Sequence, residues 1–482
     1  VAAGFALLAL ARAAAAMELQ PCRLKGLVHG AYCGHVQRPL DPQQGAGPRI
    51  DVHVAVLPAL ARHKRPDPLV FFAGGPGQSA IALAGPVAAQ MARFTNRRDL
   101  VFIDQRGTGR SAPLACDEPA DARRPLAELL SPAGQLERLA DCRRRLVQLP
   151  HGDLRQYTTT IAMADVEAVR QALGVAKVNL IGVSYGTRAA LEYLRMHPQS
   201  VRRVVLDGAV PPDMVLPKSF STDNQAALDA LFEACAKDET CRAAHPQLTS
   251  DWRRLWQSLP RDAVIVHPLL GREERLTITA EVLIGLVRSA LYVPALSAAL
   301  PRAIADAADG RFAALVGLSS ALGRGGVGGR IYTGMHFSVV CAEDEPRRAQ
   351  GTDPPGADFG ATFENLYAQA CADWPRGRVD ASFYTMPQAR VPVLVLSGGA
   401  DPATPPRHGA RVASALGPTA RHAVVPHAGH GVLGVPCLRE AVFKFIDAES
   451  DEAALAVDVG CAARVPRASS FVPPGRSKEA VR

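Results

Sequence analysis

Strand-length apolar runs alternate with helix-period segments from residue 50 to 210, stop, and resume after residue 390. This interrupted alternation narrows the fold more than any other feature. The early runs are IDVHVAVL, PLVFFAGG, DLVFIDQRG, KVNLIGVS and RRVVLDGA; the late ones are VPVLVLSGG (391–399) and RHAVVPHAGH (421–430), with a helical stretch between them and LREAVFKFI closing as a helix. Short apolar runs alternating with helices make a mostly parallel central sheet flanked by helices, an α/β architecture. Between Val210 and Ala389 helical periodicity dominates, as in TDNQAALDALFEACA and TAEVLIGLVRSALY. That segment reads as a large helical cap inserted into the sheet. The expected division is an export signal at 1–16, core at 17–210, cap at 211–389, core again at 390–461 and a disordered tail at 462–482 rich in Pro, Ser and Arg. GRGGVG (323–328) matches a dinucleotide fingerprint by letters only; a helical run precedes it and it opens no helix, so it reads as a Gly-rich loop.

The stretch NLIGVSYGTRAALEYL (179–194) sets Ser184 between Gly182 and Gly186 where an apolar run gives way to a helical pattern. This is the spacing of a nucleophile elbow, in which a sharp strand-to-helix turn exposes a serine oxygen above the sheet. The glycines allow helix and strand to approach as a side chain would not.

A serine hydroxyl needs a base, and the base needs a carboxylate to fix its tautomer. Both belong on loops at the C-terminal ends of later strands. Asp401 follows VPVLVLSGGA and opens the stiff loop DPATPP; Asp207, ending VVLDG, is the rival acid. PHAGHG offers His427 and His430, and the glycines flanking His430 favour it as the base. An oxyanion hole requires backbone N–H groups aimed at the attacked carbonyl oxygen. Tyr185, after the serine, supplies one, and Gly74 or Gly75 of FFAGGPGQS the other.

The formal charge of +8 suggests nucleic acid, but the basic residues are scattered arginines without interleaved aromatics, so nucleic-acid binding is excluded. No stretch of the mature chain is long and apolar enough to be an integral membrane segment. The opening VAAGFALLALARAAAAMELQPC resembles the apolar region and small-residue cleavage site of a secretory signal, with cleavage expected after Ala16, although an initiator Met and a basic leader are missing. Ten cysteines fall into neighbouring couples: Cys22 and Cys33, Cys116 and Cys142, Cys235 and Cys241, Cys341 and Cys371, Cys437 and Cys461. Sequence leaves connectivity open, but neighbour pairing closes the shortest loops, and disulfides imply a periplasmic or extracellular location.

Together AGGPGQSA, LVFIDQRGTGRSAP, GVSYGTRAALEYL, SGGADPATPP and PHAGHG resemble the α/β-hydrolase serine peptidases of the proline iminopeptidase and tripeptidyl aminopeptidase group, most closely its secreted tripeptidyl branch. The resemblance covers about Cys22 to Cys461. It implies an aminopeptidase acting on peptides with a free N-terminus, with Ser184 as nucleophile, Asp401 as acid, His430 as base, and Gly74, Gly75 and Tyr185 around the oxyanion. This chemistry needs no metal or organic cofactor, and no motif asks for one. Related iminopeptidases carry histidine before GGPG where this chain has Ala73. In DQRGTGRS, Asp104 and Arg106 read as a structural turn salt bridge with no catalytic role. An exopeptidase must also hold the substrate's ammonium group, and Glu343 and Asp344 of CAEDEP are the candidates. The same machinery on an ester substrate would make a secreted carboxylic-ester hydrolase.

Overall fold

The computed structural model describes residues 17–44, 46–116, 123–324 and 329–472. The expected export signal and the 325–328 part of the Gly-rich loop lie outside them. The strands are β1 (Gln20–Cys22), β2 (Ala31–Pro39), β3 (Arg49–Leu57), β4 (Leu69–Phe72), β5 (Leu100–Ile103), β6 (Val178–Val183), β7 (Val201–Asp207), β8 (Arg261–Val266), β9 (Glu273–Ile278), β10 (Val393–Gly398) and β11 (Ala420–Val425). Nine of them form one sheet in the order β1-β2-β3-β5-β4-β6-β7-β10-β11. From β5 to β11 the neighbours are parallel, while β1, β2 and β3 extend one side antiparallel.

All seven expected apolar runs contain strands of this sheet. β4, β5 and β10 are buried along their whole length, as strands covered on both faces must be. Alternate residues feed opposite clusters: Val70, Phe72 and Leu180 pack on one face with Ala190, and Phe71, Phe102 and Ile181 on the other with Phe445. Each of the larger side chains contributes about 1.5–3 kcal/mol by leaving water. β1 and β2 carry no clean apolar run because much of β2 is solvent-facing, and the Cys22–Cys33 disulfide joins them.

Between β7 and β10 the chain forms helices, including Leu216–Lys237, Leu248–Gln257 and Ala280–Leu291, and the β8–β9 hairpin. Leu228, Trp252, Leu283 and Leu300 make a cluster of their own there. The helix Thr333–Glu343 departs from this pattern: Met335, Val339 and Cys341 pack in the cluster under the sheet. The remaining couples Cys116–Cys142, Cys235–Cys241, Cys341–Cys371 and Cys437–Cys461 are also bonded, giving the neighbour pairing throughout. No helix among the described residues is long and apolar enough to cross a membrane.

The tail corrects an expectation. Residues 462–472 are not disordered: Ala462 is buried, Arg467 donates to the carbonyl of Ala234 at 2.9 Å, and Phe471 N–H donates to that of Ala298 at 2.9 Å. Composition pointed to disorder, but these backbone and arginine donors find acceptors on the inserted helices.

Candidate active site

β6 ends at Val183 and a helix begins at Tyr185, so Ser184 makes the turn alone. Its φ of 56° and ψ of −126° lie where non-glycine residues rarely go, a strain of about 1–3 kcal/mol. Surrounding bonds hold it there. Ser184 N–H donates to the carbonyl of Asp207 at 2.8 Å, and Thr187 donates to the carbonyl of Ser184 through its N–H at 2.8 Å and its hydroxyl at 2.6 Å. A Cβ on Gly182 would strike the Gly186 backbone, and one on Gly186 would strike the carbonyl of Phe72. Both glycines are therefore required by close packing, as the motif suggests.

Asp401 and His430 meet across the ends of β10 and β11. Nδ1 of His430 lies 2.8 and 3.0 Å from the two carboxylate oxygens of Asp401. The carboxylate is buried and also accepts the N–H groups of Ala403 (2.8 Å) and Thr404 (2.9 Å) and the Thr404 hydroxyl (2.7 Å). Burial opposes its charge, but His430 and these donors hold its pKa below the ordinary value. For His430, burial disfavours the imidazolium, yet Asp401, aided by Asp207, holds its pKa above the ordinary value. His427 is exposed and takes no part in this pair.

Gly208 connects the pair to the serine. It follows Asp207, the carbonyl partner of Ser184, and a Cβ on it would stand 3.5 Å from Cε1 of His430 and 2.7 Å from the Thr404 hydroxyl. Ser184, His430 and Asp401 thus gather at the C-terminal ends of adjacent strands β6, β7, β10 and β11. Asp207 serves elsewhere: its carboxylate accepts the N–H groups of Val432 and Leu433 just beyond His430.

The loop after β4 closes the other side. A Cβ on Gly74 would sit 3.1 Å from Cβ of Ser184, so this backbone lies against the serine. The N–H of Gly74 is already given to Oε1 of Gln78 at 3.0 Å, which removes it as an oxyanion donor. Gly75, with φ of 109°, and Tyr185, in the first helical turn where N–H groups have no intrahelical acceptor, are the remaining pair.

The family described as having the alpha/beta hydrolase fold matches residues 67–435. The chain belongs to the α/β-hydrolase family. It is a serine hydrolase similar to serine protease Hip1 of Mycobacterium tuberculosis, 28% identical over 437 residues covering 83% of this chain and 82% of that one. Carboxylesterase B of the same organism is 30% identical over 417 residues, 81% of this chain and 79% of that one. Tripeptidyl aminopeptidase of Streptomyces coelicolor is 32% identical over 227 residues, 43% of this chain and 40% of that one.

In this α/β-hydrolase Glu343 and Asp344 do not offer a free anionic surface. Asp344 is buried and paired with Arg188, oxygen to nitrogen 3.1 Å, and also accepts the N–H of Leu216 at 3.2 Å. Glu343 accepts the N–H of Thr159 at 2.6 Å and its hydroxyl at 3.0 Å. Burial, only partly offset by Arg188, pushes its pKa up to about 8. The expectation failed because CAEDEP ends an inserted helix that packs under the sheet. Asp104 and Arg106 do not pair with each other either: Asp104 accepts from Ser79 at 2.6 Å, and Arg106 binds Asp165 at 2.7 and 3.0 Å.

Four supporting residues were missed. Thr404 sat within the quoted DPATPP, where a hydroxyl three residues after the acid was a usable signal. Gln78 sat in the quoted AGGPGQSA. His336, whose Nδ1 lies 3.2 Å from the carbonyl of Pro76, and Tyr292, whose carbonyl accepts His430 N–H at 3.0 Å, come from the inserted segment and carry no local motif. Tyr292 also corrects the reading of Gly429: a Cβ there would strike the Tyr292 carbonyl, so the glycine admits the inserted segment and not the serine.

Proposed function

We propose that this α/β-hydrolase is an exported serine exopeptidase that releases residues or short peptides from a free N-terminus. Ser184 is the nucleophile, His430 the base, Asp401 the orienting acid, and the N–H groups of Gly75 and Tyr185 the oxyanion donors. The observation that carries the reading is the convergence of a strained serine and a buried Asp401–His430 pair at one end of the parallel strands. With Nδ1–H given to Asp401, Nε2 of His430 is left as acceptor. Ser184 Oγ attacks the scissile carbonyl carbon and its proton passes to Nε2. The imidazolium returns that proton to the leaving amine as the C–N bond breaks, and water then hydrolyses the acyl-enzyme by the same route. Five disulfides support an oxidising location.

The test is a comparison of kcat/KM for a peptidyl arylamide with a free amine, its N-acetyl counterpart and a simple aryl ester. Strong preference for the free amine supports the reading. Efficient ester cleavage with neither amide cut supports a carboxylic-ester hydrolase, a second reading favoured by the similarity to carboxylesterase B along 81% of the chain.

A further inference from the structure

The loop that carries Gly75 is gripped by the inserted segment. Tyr332 N–H donates to the carbonyl of Gly77 at 2.8 Å, Gln78 bridges to Ile331, and a Cβ on Gly77 would stand 2.8 Å from the Tyr332 carbonyl. Inside the loop, Gln78 N–H donates to the Gly74 carbonyl at 3.2 Å. That carbonyl shares a trans peptide plane with Gly75 N–H, so the bond turns Gly75 N–H the opposite way. Gly75 N–H has no acceptor among the described residues. Pro76 lies between these two anchorages, and its own carbonyl is met by Nδ1 of His336 at 3.2 Å.

The proton positions on His336 follow from its partners. Burial, aided by Arg288 and opposed by the Pro76 bond, lowers its pKa to about 4, so near neutrality the ring carries one proton. A carbonyl only accepts, which puts that proton on Nδ1 and leaves Nε2 with a lone pair. Nε2 lies 2.8 Å from the Tyr367 hydroxyl, which must therefore be its donor. Tyr367 packs against Phe337 and Phe220, ring centroids 5.4 and 6.2 Å apart. The Cys341–Cys371 disulfide joins the helix of His336 (Thr333–Glu343) to that of Tyr367 (Thr362–Cys371), close to both residues in the chain. We infer that His336 is a positioning residue for the oxyanion hole: the relay from Tyr367 O–H to Nε2 and from Nδ1–H to the Pro76 carbonyl holds the loop so that Gly75 N–H stays aimed at the oxyanion. The inference rests on Ser184 as nucleophile and holds for amide and ester substrates alike.

The experiment measures the rate of fluorophosphonate labelling of Ser184, and kcat and KM for nitrophenyl acetate, in the full disulfide-bonded chain. His336→Leu should slow labelling and lower kcat about 10–100-fold, less than the loss of a whole oxyanion donor, with KM within about threefold. His336→Asn, whose amide N–H can take the place of Nδ1–H, should recover most of that loss. Wild-type labelling and kcat in folded His336→Leu, or no recovery in folded His336→Asn, overturns the inference and reduces His336 to packing. Where either variant fails to fold, Tyr367→Phe decides, since it keeps the ring and removes only the donor. A kcat about threefold or more below wild type at unchanged KM supports the relay, and a wild-type kcat overturns it. A wild type whose Ser184 is not labelled removes the nucleophile itself and this inference with it.

Discussion

The carboxylate of Asp207 accepts the backbone N–H of Val432 at 2.8 Å, two residues past His430, while Nδ1 of the histidine belongs to Asp401. Two buried acids at one site therefore do different work: one orients the imidazole, the other holds the loop that carries it. Asp401→Asn should lower kcat on the order of 10³–10⁴-fold, since an amide in that place favours the wrong tautomer. Asp207→Asn should cost about tenfold or less in kcat and about 1–3 kcal/mol of stability from strained loop hydrogen bonds. Steady-state kinetics beside urea unfolding separates the two, and equal kinetic losses would contradict the division.

The acid limb of kcat/KM should have its midpoint above the ordinary histidine value of 6.5. The base must be neutral, and although burial and Arg288 favour the neutral form, the charges of Asp401 and Asp207 outweigh them and raise the pKa of His430. Asp401→Asn should move that midpoint down. A wild-type midpoint at or below 6.5 would contradict the balance.

Thr404 gives its hydroxyl to Asp401 at 2.7 Å and stands 3.2 Å from Nδ1 of His430. Thr404→Val keeps the shape and removes the donor. Loss of about tenfold in kcat with little change in KM is expected, from one charge-assisted hydrogen bond that orients the acid. Measured kcat equal to wild type would reduce Thr404 to packing.

Arg188 is buried against Asp344, so Asp344→Ala should destabilise by about 3–5 kcal/mol in urea unfolding, the cost of breaking a buried ion pair with only Glu343, 3.9 Å away, left beside the guanidinium. Glu343 behaves differently. Its folded pKa of about 8 exceeds the ordinary 4.5, so the fold favours its protonated form. That contribution is complete below about 4.5 and is lost as pH rises through about 8. Glu343→Gln, which cannot ionise, should flatten the decline of stability across this window; an unchanged slope would contradict a protonated Glu343.

Legibility in the sequence followed locality. β4, β5, β6, β7 and β10 were legible because strands covered on both faces must be apolar along their length, and Ser184 was legible because Gly182 and Gly186 answer to clashes within one short turn. β2 was not, since one of its faces meets solvent and its alternation is diluted by glycine and proline. The Asp401–His430 pair was reachable from strand-end loops, but the use of Gly74 was not, because it depends on the side chain of Gln78 folding back on its own loop. Glu343 and Asp344 misled for a related reason: an acidic run shows charge, and only the packing of Met335 and Val339 under the sheet shows that it is buried.

The central claim is that Ser184 is a nucleophile activated by His430. Mass spectrometry of the folded protein after reaction with a fluorophosphonate, beside His430→Ala, tests it most directly. The account predicts a single adduct on Ser184 in the wild type and labelling slowed on the order of 10³-fold or more in the variant. An unlabelled Ser184 in folded, disulfide-bonded protein, or equal labelling rates with and without His430, would contradict it.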